Sequence, residues 1–180
     1  FGLWDYNGVA RLSDSASLRW QGGVFLFTQN FDQNAGNTTA PFVFSPLLPV
    51  EVDQTSPLAE LDDFGFGVFG QGTVTFNDNL DVIGGLRVDY ENKKADLLTF
   101  FDPAVAPPTA VVAEDSFGNV SPQVGVAYRF KPERTVYGTV ARGYKAGGFN
   151  PSSPAGNEAY GEEQSWHYEG GVKTSFANGR

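Results

Sequence analysis

Residues 65–70 read GFGVFG, a letter-for-letter match to the G-x-G-x-x-G fingerprint that cradles a dinucleotide pyrophosphate. That chemistry requires a strand ending in a glycine turn with a helix opening behind it, so that free N–H groups meet the phosphate. Two paired carboxylates, Asp62-Asp63 and Glu162-Glu163, are of the type that performs general acid/base catalysis, and His167 is the only histidine. Neither pair has an accompanying nucleophile. One histidine on a strand supports no Ser-His-Asp triad, and no H-E-x-x-H or paired-ligand spacing occurs. The sequence therefore points away from an enzyme and offers no catalytic, cofactor-binding or metal-ligating residue.

The residues around GFGVFG decide what it is. Phe64, Phe66, Val68, Val74 and Phe76 fall on even positions, while Gln71, Thr73, Thr75 and Asn77 fall on odd ones. A period of two is a strand, not a helix behind a phosphate loop. After Asn77-Asp78-Asn79 the alternation resumes, with Leu80, Val82, Leu86, Val88 and Tyr90 opposing Asp81, Arg87, Asp89 and Glu91, so the two runs form a hairpin. The same code recurs in Val120 to Phe130 and in Trp166 to Phe176. Asp5 to Leu12, Leu18 to Phe31 and Thr135 to Ala146 are further strands with less regular facing. In the last of these, an outward arginine near mid-bilayer would cost about 2 to 4 kcal/mol. Arg142 is therefore expected on the polar side, with Tyr137, Thr139 and Ala141 facing out.

The connections sharpen the class. They run short (Ser13 to Ser17), long (Asp32 to Asp63), short (Asn77 to Asn79), long (Ala95 to Gly118), short (Pro132 to Arg134) and long (Gly147 to Glu163). Strict alternation places every long loop at one end, as in an outer-membrane barrel with short periplasmic turns and long extracellular loops. Strands of roughly 11 to 14 residues exceed those of soluble sheets and meet the 9 to 11 needed to cross a bilayer. A sheet can span a bilayer only as a closed barrel. The fold class is thus all-β, an antiparallel transmembrane β-barrel fragment of about seven strands, and residues 1–180 form one partial barrel domain. A passive porin-type barrel and a soluble β-sandwich binding module remain alternatives at this point.

Composition agrees. The 180 residues include 22 glycines and an aromatic share of 14%, suited to strands and turns, and a formal charge of -9 opposes binding to nucleic acid. No cysteine is present, which excludes disulfides and thiolate metal sites.

The stretches GGLRVDYE, ARGYKAGGFNP and EEQSWHYEGGVKTSF, in this order and spacing, resemble the barrel of TonB-dependent outer-membrane receptors. The likeness covers most of the chain from about Trp20, outside the long loops. It implies a barrel of about 22 strands holding a plug. It also implies ligand-gated import of a siderophore-iron chelate, cobalamin or a similar scarce nutrient across the bacterial outer membrane. The partners implied are the TonB energy-coupling complex, acting through a plug region expected outside residues 1–180, a nutrient chelate, and outer-membrane lipid with lipopolysaccharide. No cofactor is implied.

On this reading the polar face lines the lumen with Asp81, Arg87, Asp89, Glu91, Arg129, Arg142, His167, Glu169 and Lys173. Their expected roles are solvation, cross-strand pairing and contact with the plug, and direct ligand contact is the sharper alternative. Phe76, Tyr128, Phe130, Trp166 and Tyr168 fall near strand ends, where interfacial aromatic girdles belong. The long loops carry Asp32, Glu51, Asp53, Glu60, Asp62, Asp63, Asp96, Asp102, Glu114, Asp115, Glu158, Glu162 and Glu163 and neither Lys nor Arg. Such loops would bridge lipopolysaccharide through divalent cations, or disfavour an anionic chelate and suit a neutral or cationic ligand.

Overall fold

Alternation of apolar and polar residues produces long antiparallel strands throughout. The structure, a computed structural model, describes residues 1–151, 153 and 156–175. Among the described residues ten strands follow in chain order: β1 (Gly2–Ser13), β2 (Ala16–Asp32), β3 (Ala35–Thr39), β4 (Val52–Phe76), β5 (Leu80–Asp102), β6 (Thr109–Lys131), β7 (Arg134–Lys145), β8 (Gly148–Phe149), β9 (Ala159–Tyr160) and β10 (Glu163–Thr174). Seven of them lie on one hydrogen-bonded path, β1-β2-β4-β5-β6-β7-β10, with β3 added beside the far end of β4. Every neighbouring pair is antiparallel. The sheet is open among the described residues, with β1 and β10 at its edges. Phe176, the expected end of the last strand, lies outside the described residues.

The glycine fingerprint is continuous strand: all of residues 65–70 belong to β4, paired with β2 on one side and β5 on the other. The tight turn that follows is supplied by Asn77 and Asp78, both at positive φ (46° and 58°), a region that asparagine and aspartate tolerate through short side chains that bond locally. Arg129 pins this end of the sheet. Its guanidinium bonds both carboxylate oxygens of Asp81 (2.7 and 3.1 Å) and the carbonyl of Asp78 (3.0 Å), while Thr75 donates to Asp81 at 2.7 Å.

Two expectations need correction. The first concerns the long loops, much of which is strand. β4 begins at Val52 rather than near Phe64, β5 continues to Asp102, and β6 starts at Thr109, so the connection expected over Ala95 to Gly118 shrinks to residues 103–108. A strand of 25 residues, as in β4, measures roughly 80 Å, whereas a bilayer core is about 30 Å thick. The upper halves of β4, β5 and β6 therefore project beyond the membrane as a paired wall. Their inner face is apolar enough to pack: Ala59, Ala95 and Leu97 form a buried cluster, flanked by Leu61, Val111 and Phe149.

The second correction concerns β7. Its ladder with β6 sets Gln123 opposite Ala141, Gly125 opposite Thr139 and Ala127 opposite Tyr137, so these three β7 residues lie on the polar face. Arg142 has the parity of Val136 and Val140. Strand register starts its side chain on the apolar side, because a one-residue slip would reverse every side chain in the strand, but the guanidinium does not stay there. The charge is handled locally instead. The β6–β7 ladder ends at Gln123 and Ala141, and the Arg142 guanidinium turns into the gap, bonding the Val120 carbonyl (3.1 Å) and the Gln164 side chain.

Candidate functional site: the polar wall

Register assigns each side chain to a face. In β2, β4, β5 and β6 the odd-numbered residues share one face, because the pairs Gln21↔Gln71, Gln71↔Gly85 and Gly85↔Gln123 run straight across it. The even-numbered face carries Val68, Val82, Leu86, Val88, Val124, Val126 and Tyr128, all exposed. An exposed apolar surface of this extent needs an apolar partner, which for a sheet with bilayer-length strands is lipid. Trp166, Tyr168, Phe76 and Phe130 are exposed as well.

The odd face is polar and organised. Asp89 is 6% exposed and accepts from Arg87 through Nε at 2.8 and 2.9 Å. The Arg87 guanidinium also lies 4.5 Å from the centre of the Phe25 ring. Phe25 can occupy that place only because its cross-strand partner is Gly67, where an added Cβ would come within 2.0 Å of the ring. Phe27 lies over Gly65 in the same way, parallel to Phe25 with ring centres 6.3 Å apart. The two glycines that imitate a phosphate loop are thus seats for aromatic rings.

Above this stack, Lys93 bridges Asp63 (3.1 Å) and Glu91 (3.5 Å). Burial works against the lysine charge, but the two carboxylates outweigh it and raise the pKa above the ordinary lysine value. Gln71 and Gln123 hydrogen-bond across β5, over Gly85, whose missing side chain leaves their path clear. Together with Tyr144, Lys145 and Tyr160 these groups line a concave trough of about 720 Å³. The Tyr144 hydroxyl is buried in the trough with the Glu162 carboxylate beside it, and the Asn119 Oδ1 atom is buried nearby without a partner among the described residues.

Of the sequence-derived candidates, Arg87, Asp89, Glu91 and Arg142 all line the trough. His167, Glu169 and Lys173 sit on β10, away from it, and engage near neighbours. The His167 ring nitrogen Nε2 is 2.8 Å from the Ser165 hydroxyl, Tyr137 donates to Glu169 at 2.7 Å, and the Lys173 ammonium lies 5.0 Å from the Tyr137 ring centre. Asp81 and Arg129 form the turn-end pair already described. Sequence reasoning missed Phe25, Phe27, Lys93, Tyr144 and Tyr160. A signal for the first two existed: Phe-x-Phe on one strand and Gly-x-Gly on the next, with spacing that matches across the hairpin.

The acids expected in extracellular loops are mostly on strands. Asp32, Glu60, Asp62, Asp96 and Glu114 are on the even-numbered, outward face of the projecting wall, where Asp32 opposes Glu60 and Glu60 opposes Asp96. Asn30 bonds Asp62, and Asn92 and Lys94 reach Glu114, whose pKa these contacts lower. Asp63 faces inward but is held by Lys93. The acidity does not ring the inner trough.

Comparison with known proteins bears on this architecture directly. The family model described as "TonB dependent receptor-like, beta-barrel" matches residues 3–180. The chain belongs to this family. TonB-dependent receptors are outer-membrane transport proteins rather than enzymes, and their closed barrels account for the open edges of a sheet that is one sector of such a wall. Among solved structures, the ferric yersiniabactin uptake receptor FyuA from Yersinia pestis aligns with a TM-score of 0.67 at 17% identity, over 97% of this chain and 26% of that one. The chain thus spans about a quarter of the length of that receptor, and at this identity the likeness is one of fold.

Proposed function

We propose that these residues form a lumenal wall sector of a bacterial outer-membrane receptor. The receptor imports a scarce nutrient chelate, of siderophore-iron or cobalamin type, energised through TonB. The observation that carries the reading is the two-faced sheet: bilayer-length strands with apolar residues outside and a structured polar trough inside, in a chain of this family. Ligand enters from the side of the projecting wall and meets the trough, while the lower lumenal pairs, Asp81–Arg129 and Tyr137–Glu169, face the region a plug would fill. Outward acids such as Glu60, Asp62 and Asp96 are placed to meet lipopolysaccharide through divalent cations.

Growth of a strain carrying the intact receptor on its chelate as sole iron or cobalt source tests this. Uptake is expected to vanish when TonB is deleted. Uptake that survives without TonB, together with steady conductance in planar bilayers, would instead establish a passive porin.

The trough bears on ligand charge. Arg87, Lys93 and Lys145 each have a carboxylate partner, Asp89, Asp63 with Glu91, and Glu163 respectively. Among the described residues the partners of Arg142 are neutral, the Val120 carbonyl and Gln164. The inward acids Asp63, Asp89 and Glu91 are each paired with a cation, so none of the three presents an unpaired negative charge to repel an anion, and Arg142 is the cation best placed to receive one. In the full receptor, Arg142→Gln is expected to weaken binding of an anionic ferric chelate about tenfold, in line with roughly 1.5 kcal/mol for a hydrogen bond to a charged group. Titration at two salt concentrations checks it. Equal affinity of variant and parent at both would remove Arg142 from recognition.

A further inference from the structure

The segment between β7 and β10 does not stand clear of the wall. Ala146, Gly147, Gly148 and Pro151 are buried, and so is Glu158 further on. Phe149 packs against the dry cluster of Ala59, Ala95 and Leu97 on the inner face of β4 and β5. The Ser56 hydroxyl, buried and within 2.8 Å of the Thr99 hydroxyl, is also 3.2 Å from the Pro151 carbonyl, and Gln54 donates to the Ser153 carbonyl at 3.1 Å. The short β8–β9 pair is closed by Asn150 N–H to the Glu158 carbonyl at 2.7 Å. Glycines make the close approach possible: a Cβ on Gly147 would fall 2.5 Å from both the Phe117 ring and the Tyr160 carbonyl, and one on Gly148 would fall 2.9 Å from the Tyr160 hydroxyl.

These contacts reach β4, β5 and β6 together and combine a dry apolar patch with satisfied polar groups. A mobile lid is drawn from segments with few buried contacts and exposed backbone bonds, which is the opposite arrangement. From this seating we propose that the described residues of 146–160 form a fixed shelf on the lumenal wall. The shelf narrows the barrel mouth permanently and stays seated through the transport cycle, so that any closing over ligand is performed by other loops. The inference rests on the import reading for its role in transport, but the seating itself is measurable without it.

The test uses the full-length receptor on whole cells and a membrane-impermeant maleimide. Leu97→Cys lies beneath Phe149 and is 2% exposed in the parent, while Val112→Cys, at 82%, serves as the open reference on the same wall. Labelling at position 97 is expected to be at least about 100-fold slower than at position 112. The ratio should hold in energised, iron-limited cells importing their chelate and in protonophore-treated cells. Acceleration at position 97 to within tenfold of position 112 in energised cells alone would overturn the shelf and make the segment a gate. Fast labelling in both conditions would overturn the seating altogether. Should the Leu97 variant fail to accumulate, Ala59→Cys, also 2% exposed and a smaller change, decides the matter by the same ratios. Loss of TonB dependence in the uptake assay, with position 97 still protected, would remove the import reading while leaving the seating intact.

Discussion

Val126→Arg in the full-length receptor is expected to lower the stability of the barrel in phospholipid vesicles by about 2 to 4 kcal/mol, the cost of an arginine on the lipid face near the bilayer midplane. Val126 lies five residues before the end of β6, on the even-numbered face beside Val82 and Gly138, and is exposed. Nothing in the sheet can receive the guanidinium there, because its cross-strand neighbours are aliphatic or glycine. Its counterpart on the other face, Thr139→Arg, stands at the same depth and meets Glu169 across one ladder and Gly125 across the other. The expected cost there is under about 1 kcal/mol, as for most substitutions at solvated sites. Denaturant titration in vesicles measures both. Equal and small effects at the two positions would mean that the apolar face does not meet lipid, and the membrane placement of the sheet would fall with it.

Gly67→Ala is expected to destabilise the barrel by about 1 to 3 kcal/mol, the usual cost of forcing an extra carbon into a packed site. The new Cβ would stand 2.0 Å from the Phe25 ring and 2.7 Å from the Asp89 carboxylate. The ring must leave its seat, and Arg87, stacked on that ring at 4.5 Å, loses a contact on one side and strain reaches its ion pair with Asp89 on the other. A double change, Gly67→Ala with Phe25→Ala, separates the causes, since removing the ring should recover a large part of the loss. Gly84 provides the control, because a Cβ there meets nothing within 4 Å. Gly84→Ala as costly as Gly67→Ala would show that backbone freedom, rather than the aromatic seat, is what glycine supplies.

The period-two alternation made the hairpins legible, and the strands around Phe64–Phe76, Leu80–Glu91 and Val120–Phe130 stand where that alternation puts them. It failed above the membrane for an intelligible reason. In Ala95 to Gly118, glycine, proline and acids resemble loop composition, yet β5 and β6 pair with each other through most of that stretch, and ladder hydrogen bonds do not depend on side-chain polarity. The facing of Tyr137, Thr139 and Ala141 in β7 differs from expectation because a single arginine was weighed against a register shared by twelve residues. That Arg87, Asp89 and Glu91 share the polar face was recognisable from parity alone. Lys93 was not, since its significance depends on Asp63, thirty positions away.

The residue pattern by itself determined that GFGVFG is a strand, that one face is apolar and the other polar, and that short turns alternate with longer excursions. These follow from local rules, the two-residue repeat of a strand and the chemistry of turns. Only the tertiary structure decided that Phe25 rests on Gly67 and supports Arg87, that Asp32, Glu60, Asp62, Asp96 and Glu114 look outward, and that residues after β7 are seated on the inner wall. Each of those is a contact between strands, and its existence depends on register and on which surfaces meet across the sheet, quantities that no single stretch of sequence contains.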